Sequence, residues 1–303
     1  YGVSLCPKYQ FTGTTFNAAA GCTNYAIGGG RINNFTAPTS PVSITKQMGD
    51  AGAAGFAAGD LVLIDGGGND AADLVGAYLS ASKDGGANYK GLLTTLLPAS
   101  MVDAAFAGGA TGMAQVGGAY MVGLADKFSA SINADVLGKG AQRVAILNLP
   151  GIYNTPRLQQ LLGGIAASAG PAASAQIQGL VKGWIEAFNA KLAANFAGND
   201  KVVVVDFYTS LNDQVAHPEQ FALTNAKNTA CPITGVGTDG LPTYTFATCT
   251  AASLSAMAPP AGATGGADWW KSYAFSDSFH PTPYGHQLLS QLVARSIAQA
   301  GWL

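Results

Sequence analysis

The sequence has few charged residues and no cluster of basic ones. Only 11% of its 303 residues are charged, the formal net charge is −2, and no two lysines or arginines are adjacent. A nucleic-acid-binding surface needs clustered basic side chains, so we predict no nucleic-acid partner. Because 48% of the residues are hydrophobic, the chain can bury a large core and is not disordered.

The sequence also lacks the usual signatures of metal and dinucleotide sites. None of its four cysteines has Cys-x-x-Cys spacing, so we expect no zinc site. Gly66-x-Gly68-x-x-Ala71 formally matches the dinucleotide fingerprint, but no strand ending in an acidic residue follows roughly twenty positions later. We therefore predict no metal and no cofactor. A dinucleotide-dependent oxidoreductase is kept only as a third hypothesis, after the two that are given at the end of this subsection.

No targeting or membrane segment is recognisable either. The sequence starts at Tyr1 without a basic region followed by an apolar one, so we expect a mature or trimmed product. Residues 104–125 carry no charge and are long enough to span a bilayer. They are rich in Ala and Gly and include Gln115, so we predict a buried helix there and no transmembrane span.

The four cysteines form two local pairs, Cys6 with Cys22 and Cys231 with Cys249. Each pair brackets a polar loop that is rich in Gly and Thr. Two disulfides that close loops of about 15–20 residues would each stabilise the fold by on the order of 3 kcal/mol. This pairing predicts an oxidising compartment, which means a secreted, periplasmic or cell-surface protein. The alternative is four buried free thiols.

Three short apolar runs predict buried strands. They are residues 61–64, 143–149 and 201–207, and apolar residues do not alternate with polar ones within them. Such runs are typical of strands that are covered on both faces in a parallel sheet. Segments with helical periodicity lie between them, and the clearest is residues 173–196. This order predicts an α/β fold, a three-layer α/β/α sandwich with a central parallel sheet.

The remaining elements are predicted from capping residues and periodicity. Further helices are expected at residues 40–54, 71–82, 89–97, 111–137, 158–162 and 284–300, a short strand at 23–27, and mostly loop at 209–267. Because there is no internal repeat and no clear linker, we predict one domain over residues 1–303.

Several glycine-rich or polar stretches follow predicted strands. Residues 28–30, 66–70 and 150–151 do so, and ligands in open α/β folds bind at the carboxyl ends of strands. We expect these stretches to share one rim with residues 277–280. The side-chain amide of Asn69 at such a strand end can donate to an oxyanion, although a plain glycine-rich turn is the alternative.

Asp277 and His280 lie three residues apart near the end of the chain, which has only three histidines. A hydrolytic mechanism needs one imidazole as general base and one carboxylate to hold its tautomer. The alternative is a surface turn with a helix cap. We expect the other two histidines, His217 and His286, to be structural.

Three segments resemble sequence blocks of the SGNH (GDSL) hydrolase family. Residues 24–31 (Asn-Tyr-Ala-Ile-Gly-Gly-Gly-Arg) resemble the second block, residues 67–70 (Gly-Gly-Asn-Asp) the third and residues 277–281 (Asp-Ser-Phe-His-Pro) the fifth. Each motif is weak alone, but three in the right order are specific together, and the resemblance covers essentially the whole chain. The branch that it resembles is the secreted bacterial esterase and lecithinase-like one, which includes autotransporter esterase passengers.

The resemblance implies a flavodoxin-like SGNH hydrolase fold and a role for each matching residue. His280 would be the general base and acid, and Asp277 would orient it. Gly29 would offer a backbone N–H, and Asn69 a side-chain N–H, to the tetrahedral oxyanion. Gly28 is the alternative to Gly29, because the run of glycines leaves the register open by one residue.

The family's first block, Gly-Asp-Ser-Leu, is absent. Residues 2–5 (Gly-Val-Ser-Leu) resemble it, but no strand precedes Ser4 to hold it rigidly, so we disfavour Ser4 as the nucleophile. In the family, the first strand lies inside the sheet, and each buried backbone group left unpaired without it costs roughly 1–3 kcal/mol. We therefore hypothesise a separate N-terminal peptide of the same protein that carries the strand and the serine.

The sequence thus predicts a secreted lipase- or esterase-type serine hydrolase that cleaves carboxylic esters of a small molecule or lipid. Acyl transfer to another alcohol is a further option. The alternative from another class is a non-catalytic carbohydrate- or lipid-binding protein on the same scaffold. Trp269, Trp270, Phe279 and Tyr284 either line an acyl pocket or pack in the core.

Overall fold

The structure is a computed structural model that describes residues 4–238 and 240–303. The chain divides into two compact units. Unit 1 comprises the residues up to 149 together with 183–204, and unit 2 comprises residues 150–182 and 205–303. The prediction of a single domain stays a prediction, and each unit is described by itself.

Short strands and longer helices alternate along the chain. Its first half contains β1 (Tyr9–Phe11), β2 (Phe16–Ala18), α1 (Ile44–Ala54), β3 (Val62–Ile64), α2 (Gly68–Asp84), α3 (Ala87–Leu93), α4 (Ala99–Ala107), α5 (Gly109–Asp135) and β4 (Val144–Leu147). Its second half contains α6 (Pro156–Ala169), α7 (Pro171–Asn195), β5 (Val202–Val205), α8 (Phe207–Ala216), β6 (Asn225–Thr229), β7 (Gly235–Val236), β8 (Pro242–Thr243), α9 (Ala251–Ala256), β9 (Tyr273–Phe275) and α10 (Pro283–Gln299).

Unit 1 contains a sheet with the strand order β3-β4-β5. β3 pairs with β4 in parallel, with Val62 opposite Val144, and on the other side of β4 the N–H of Val144 donates to the carbonyl of Lys201 at 2.9 Å. The three predicted strands and a parallel pairing are therefore confirmed. Burial on both faces holds for β4 but is wrong for β3, an edge strand whose Leu63 side chain is 58% exposed.

The helices of unit 1 begin and end close to the predicted positions, with two corrections. α1 starts at Ile44, because residues 40–43 form turns that make Ser43 the N-cap. The apolar run at residues 104–125 is divided between α4 and α5, where Gly109 has a φ of 64°. In the part of the chain that the structure describes, no helix combines the length and hydrophobicity needed to cross a membrane.

The core of unit 1 is aliphatic and aromatic. Its fully buried side chains include Ile32, Leu74, Leu93, Met121, Leu124, Phe128, Ile132, Val144, Ile146, Phe188 and Leu192. The predicted strand at residues 23–27 is wrong, because only an isolated bridge between Pro7 and Asn24 occurs there.

Unit 2 contains a parallel pair formed by β6 and β9, with Asn225 opposite Tyr273. Leu211, Leu223 and Phe275 are buried around this pair, and α10 packs against α8. Residues 209–267 lie mostly outside helices and strands, as predicted, although short elements such as α8, β6 and α9 interrupt the loop. The polar sequence of β6, Asn-Ala-Lys-Asn-Thr, has no apolar pattern, and pairing with β9 rather than local propensity makes it a strand.

Both expected disulfides are present, Cys6–Cys22 and Cys231–Cys249, and no cysteine is free. The alternative of four free thiols is wrong. Residues 6–22 form the N-terminal disulfide loop, which contains the antiparallel β1–β2 hairpin. Residues 231–249 form the C-terminal disulfide loop, which contains the antiparallel β7–β8 hairpin.

Candidate active site

Asp277 and His280 lie on the short loop between β9 and α10 in unit 2. Backbone and side-chain hydrogen bonds fold this loop back on the strand. The N–H of Ser276 donates to the carbonyl of His280 at 2.8 Å, and the hydroxyl of Thr282 donates to the carbonyl of Tyr273 at 2.6 Å. Thr282 is also the N-cap of α10, where it accepts from Gly285. Both ends of the loop are thus fixed by regular structure.

The side chain of Asp277 is buried and directs the imidazole of His280. Asp277 is 3% exposed, and its Oδ1 accepts the N–H groups of Phe279 and His280, both at 2.7 Å. Its Oδ2 lies 2.8 Å from Nδ1 of His280. A carboxylate can only accept, so Nδ1 is the donor and Nε2 carries the lone pair of the neutral ring. The His280 side chain is 64% exposed, so an external group can reach Nε2, and such an arrangement can serve as a base with an orienting carboxylate.

The protonation equilibria of the two side chains are coupled. Burial alone would raise the pKa of Asp277, but hydrogen bonds from the His280 ring and from the N–H groups of His280 and Phe279 outweigh it and lower that pKa. The hydrogen bond to Asp277 raises the pKa of His280 despite partial burial. Asp277 therefore stays ionised and stabilises the imidazolium that a general base forms when it takes a proton.

Residues 27–33 of unit 1 form a glycine-rich loop, which presents backbone N–H groups. The N–H of Gly30 donates to the carbonyl of Ile27 at 3.2 Å. Gly28 and Gly29 are exposed, and their N–H groups have no acceptor in the described part of the chain. Gly29 has a φ of 78°, a conformation that favours glycine. Either Gly28 or Gly29 can therefore donate to a ligand, whereas Gly30 cannot.

Asn69, in the first turn of α2, lies beside this loop. Its Nδ2 donates to the carbonyl of Gly30 at 3.0 Å. A side-chain amide has two N–H bonds, so one remains for a second acceptor. The helix begins after Gly67, whose φ is 97° and whose added Cβ would lie 3.1 Å from a methyl of Leu149. A side chain at position 67 would be both strained and crowded, which explains the glycine before Asn69.

Asp70 fixes the glycine-rich loop through its buried carboxylate. The sequence did not reveal this role. It is 2% exposed and accepts the N–H groups of Ile32 at 2.9 Å and Asn33 at 2.8 Å. The side chain of Asn33 donates to the Tyr120 hydroxyl at 3.1 Å and accepts from Nζ of Lys127 at 2.8 Å. This network joins positions up to 94 residues apart, and no local sequence pattern predicts such contacts.

A salt bridge holds the other side of the loop. Nε of Arg31 lies 2.5 Å from Asp73, and Nη2 of Arg31 donates to the other oxygen of Asp73 at 2.9 Å. Nη1 of Arg31 donates to the carbonyl of Gly29 at 2.9 Å. Because both side chains are more than a third exposed, we assign this pair an orienting role and little net stability.

The aromatic residues expected near the site fall into two groups. Trp269 and Trp270 are 1% and 6% exposed and donate their indole N–H groups to Leu254 and Ser255. They pack in the core of unit 2, so the second of the two expectations holds. Phe279, by contrast, is only partly buried, and its ring is T-shaped to His280 with centroids 6.0 Å apart.

The remaining candidate residues belong neither to the Asp277–His280 pair nor to the glycine-rich loop with Asn69. His217 is exposed, with Nδ1 3.9 Å from Glu219, and His286 is exposed in the first turn of α10. Ser4 is exposed, and Gly2 and Val3, which precede it in the Gly-Val-Ser-Leu motif, lie outside the described residues. Within 4–238 and 240–303, no group of three or more His, Cys, Asp or Glu side chains could hold a metal ion.

Comparison with known proteins identifies the family. The model of the GDSL-like Lipase/Acylhydrolase family matches residues 4–293. The chain belongs to this family. The match spans all three sequence blocks, and it supports an α/β hydrolase with acyl-hydrolase activity toward a small-molecule substrate. No curated protein matches the chain.

Proposed function

We propose that this GDSL-family hydrolase is a secreted serine esterase or lipase that cleaves carboxylic esters on a three-layer α/β/α scaffold. The observation that carries the proposal is the pair formed by the buried Asp277 and the exposed His280, which is oriented through Nδ1 at 2.8 Å. Secretion is supported by the two disulfides, since disulfides persist in oxidising compartments.

The mechanism follows from the hydrogen-bonding capacity of each group. Nε2 of His280 takes the proton of a serine hydroxyl as the oxygen attacks the ester carbonyl. The N–H of Gly29, or of Gly28, and the second N–H of Asn69 donate to the tetrahedral oxyanion. The imidazolium, stabilised by Asp277, then gives its proton to the departing alcohol. Water hydrolyses the acyl-enzyme by the same route.

The nucleophilic serine, in this proposal, is carried by an N-terminal segment of the same protein outside these 303 residues. Gly-Asp-Ser-Leu occurs nowhere in the sequence. Among the described residues, β3 is the outer strand of the β3-β4-β5 sheet, so a further strand can pair with its outer edge. Fluorophosphonate labelling of the full-length protein followed by peptide sequencing tests this point. We expect the label on a serine outside residues 4–303, and a label on Ser4 would contradict the assignment.

The absent motif also supports a second candidate, a non-catalytic protein that binds carbohydrate or lipid on the same scaffold. The same labelling experiment separates the two. Covalent uptake that depends on His280 supports the hydrolase. No uptake by the folded full-length protein, together with saturable binding of an acylated sugar or phospholipid, would support the binding protein.

The replacement His280→Ala tests the catalytic assignment directly. We expect kcat for p-nitrophenyl butyrate to fall by at least about 10³-fold, because the general base is removed. The matched control is His286→Ala, which removes an exposed imidazole from the same unit and should keep full activity. Circular dichroism should show the same fold for both variants. Retained activity in folded His280→Ala would refute the proposal.

A further inference from the structure

An exposed aromatic ring lies beside the imidazole of His280. Phe246, on the C-terminal disulfide loop, is 65% exposed, and its ring is T-shaped to His280 with centroids 6.1 Å apart and an interplanar angle of 74°. Exposure of a phenyl ring to water is unfavourable in proportion to its apolar area. The ring nevertheless lies at the surface beside the exposed imidazole. An apolar group of a ligand that packed there would remove this exposed apolar area from water.

The position of Phe246 is set by covalent and backbone links. The disulfide closes the loop at Cys231 and Cys249. The N–H of Cys231 donates to the carbonyl of Ser276 at 2.7 Å, directly before the candidate catalytic aspartate. At the other end, the N–H of Cys249 donates to the carbonyls of Thr245 and Phe246, both at 3.2 Å. Cys231 thus joins the disulfide loop to the residue before Asp277, and Cys249 is joined to Cys231 by the disulfide and to Phe246 by its own N–H.

The chemistry of the proposed reaction decides which part of an ester meets this ring. When the tetrahedral intermediate collapses, the proton moves from Nε2 of His280 to the alcohol oxygen as the bond between that oxygen and the acyl carbon breaks. The alcohol oxygen must then lie within about 3 Å of Nε2. A ring that packs against the imidazole is consequently closer to the alcohol substituent than to the acyl chain, which stays attached to the serine.

We propose that Phe246 forms a subsite for the apolar part of the leaving alcohol, and that it determines specificity on that side of the ester. The inference rests on the proposed function, because it requires His280 as the general acid. The composition of the loop agrees with an uncharged alkyl or aryl alcohol. Residues 231–249 contain a single charged residue and no Lys, Arg or His. Ile233 and Val236 are also exposed there.

The same exposed side chains would also suit docking on a lipid surface, and the two interpretations differ in their requirements. A subsite would affect the hydrolysis of single dissolved ester molecules, and it requires only the ring next to His280. A lipid-docking surface would affect only the hydrolysis of aggregated substrate. It requires all the exposed apolar residues, including Val236, which is 72% exposed on β7. Val236→Ala is therefore the matched control for Phe246→Ala.

The test uses the full-length protein and two series of esters, all below the concentration at which they aggregate. The first series keeps a butyryl group and varies the alcohol from methyl to butyl to octyl. The second keeps methanol and varies the acyl chain. For Phe246→Ala we expect kcat/KM to fall by about tenfold on octyl butyrate, a typical effect of losing partial burial of one aromatic side chain, and by less than about twofold on methyl butyrate. Phe246→Leu should recover part of the loss, and Val236→Ala should match the wild type.

Three results would overturn the inference while the proposed function stands. These are an equal loss for all alcohols, a loss that follows acyl length, and losses in both Phe246→Ala and Val236→Ala that occur only with aggregated esters. Hydrolysis of no ester by the wild-type protein would instead overturn the proposed function, and the subsite with it. Thermal unfolding of each variant verifies that the folds are comparable, and the Leu variant keeps the test valid if the Ala variant is unstable.

Discussion

Asp70 in unit 1 and Asp277 in unit 2 are both buried carboxylates, 2% and 3% exposed, and each accepts two backbone N–H groups. Their pKa values nevertheless move in opposite directions. Burial raises the pKa of Asp70 more than its hydrogen bonds lower it. For Asp277, the additional bond from the His280 ring reverses the balance. The same pair of hydrogen bonds thus fixes a distant loop in one unit and, with an imidazole added, orients a candidate base in the other.

The largest expected difference between the two carboxylates is in catalysis. We expect Asp277→Asn to lower kcat for a short-chain ester by about 10³–10⁴-fold, because an amide no longer holds the correct tautomer of His280 or stabilises the imidazolium. Steady-state kinetics measure the loss, and His280→Ala should lose no further activity when combined with it. If Asp277→Asn and wild type have similar kcat values, the orienting role is wrong.

The second prediction concerns stability. Asp70→Ala leaves two buried N–H groups, those of Ile32 and Asn33, without acceptors, so we expect a loss of about 3 kcal/mol in the free energy of unfolding. Urea denaturation measures it. The control is Asp73→Ala on the same helix, whose partly exposed salt bridge should contribute less than about 1 kcal/mol. Equal losses in the two variants would show that Asp70 does not fix the loop.

The pH dependence of activity distinguishes the carboxylates in a third way. A general base must be neutral, so activity should rise with pH through the pKa of His280, which Asp277 raises above its ordinary value of about 6.5. Without the carboxylate the imidazolium is less stable, so this rising limb should move to lower pH in Asp277→Asn. In Asp70→Asn it should stay in place. A limb that moves equally in both variants would contradict this difference.

The smallest effect is expected further along the network of Asp70. Lys127→Met removes the donor to Oδ1 of Asn33, and we expect a loss of about 1 kcal/mol in stability with no change in the pH limb. Burial already lowers the pKa of Lys127, so removal of its charge relieves part of the cost. Urea denaturation of this variant, compared with Lys83→Met at an exposed position of α2, provides the measurement.

Features encoded by neighbouring residues could be predicted from the sequence. The runs of Val, Leu and Ile revealed β3, β4 and β5, the local spacing of the cysteines revealed both disulfides, and Asp277 with His280 revealed a contact within one turn of chain. Asn69 beside the glycine-rich loop followed from the family blocks, since 39 residues separate it from Gly30.

Features that depend on distant contacts could not be predicted. Lys127 and Asn33 are joined only because α5 packs in the same unit as the glycine-rich loop, and β6 is a strand only because β9 lies beside it. Phe246 stands in a loop without periodicity, and its contact with His280 exists because a disulfide and the Cys231 N–H position that loop. In each case the tertiary environment decides, and the local residues are compatible with several structures.

The open edge of β3 has a consequence for how the protein behaves in solution. A strand at the edge of a sheet offers a row of backbone donors and acceptors, and here it adds the exposed side chain of Leu63. Such an edge pairs with any extended segment that reaches it, including the same strand of another molecule. Residues 1–303, when produced without the proposed N-terminal strand, should therefore self-associate increasingly with concentration. Leu63→Lys, which adds a charge at the edge, should suppress it in light scattering without altering the sheet itself.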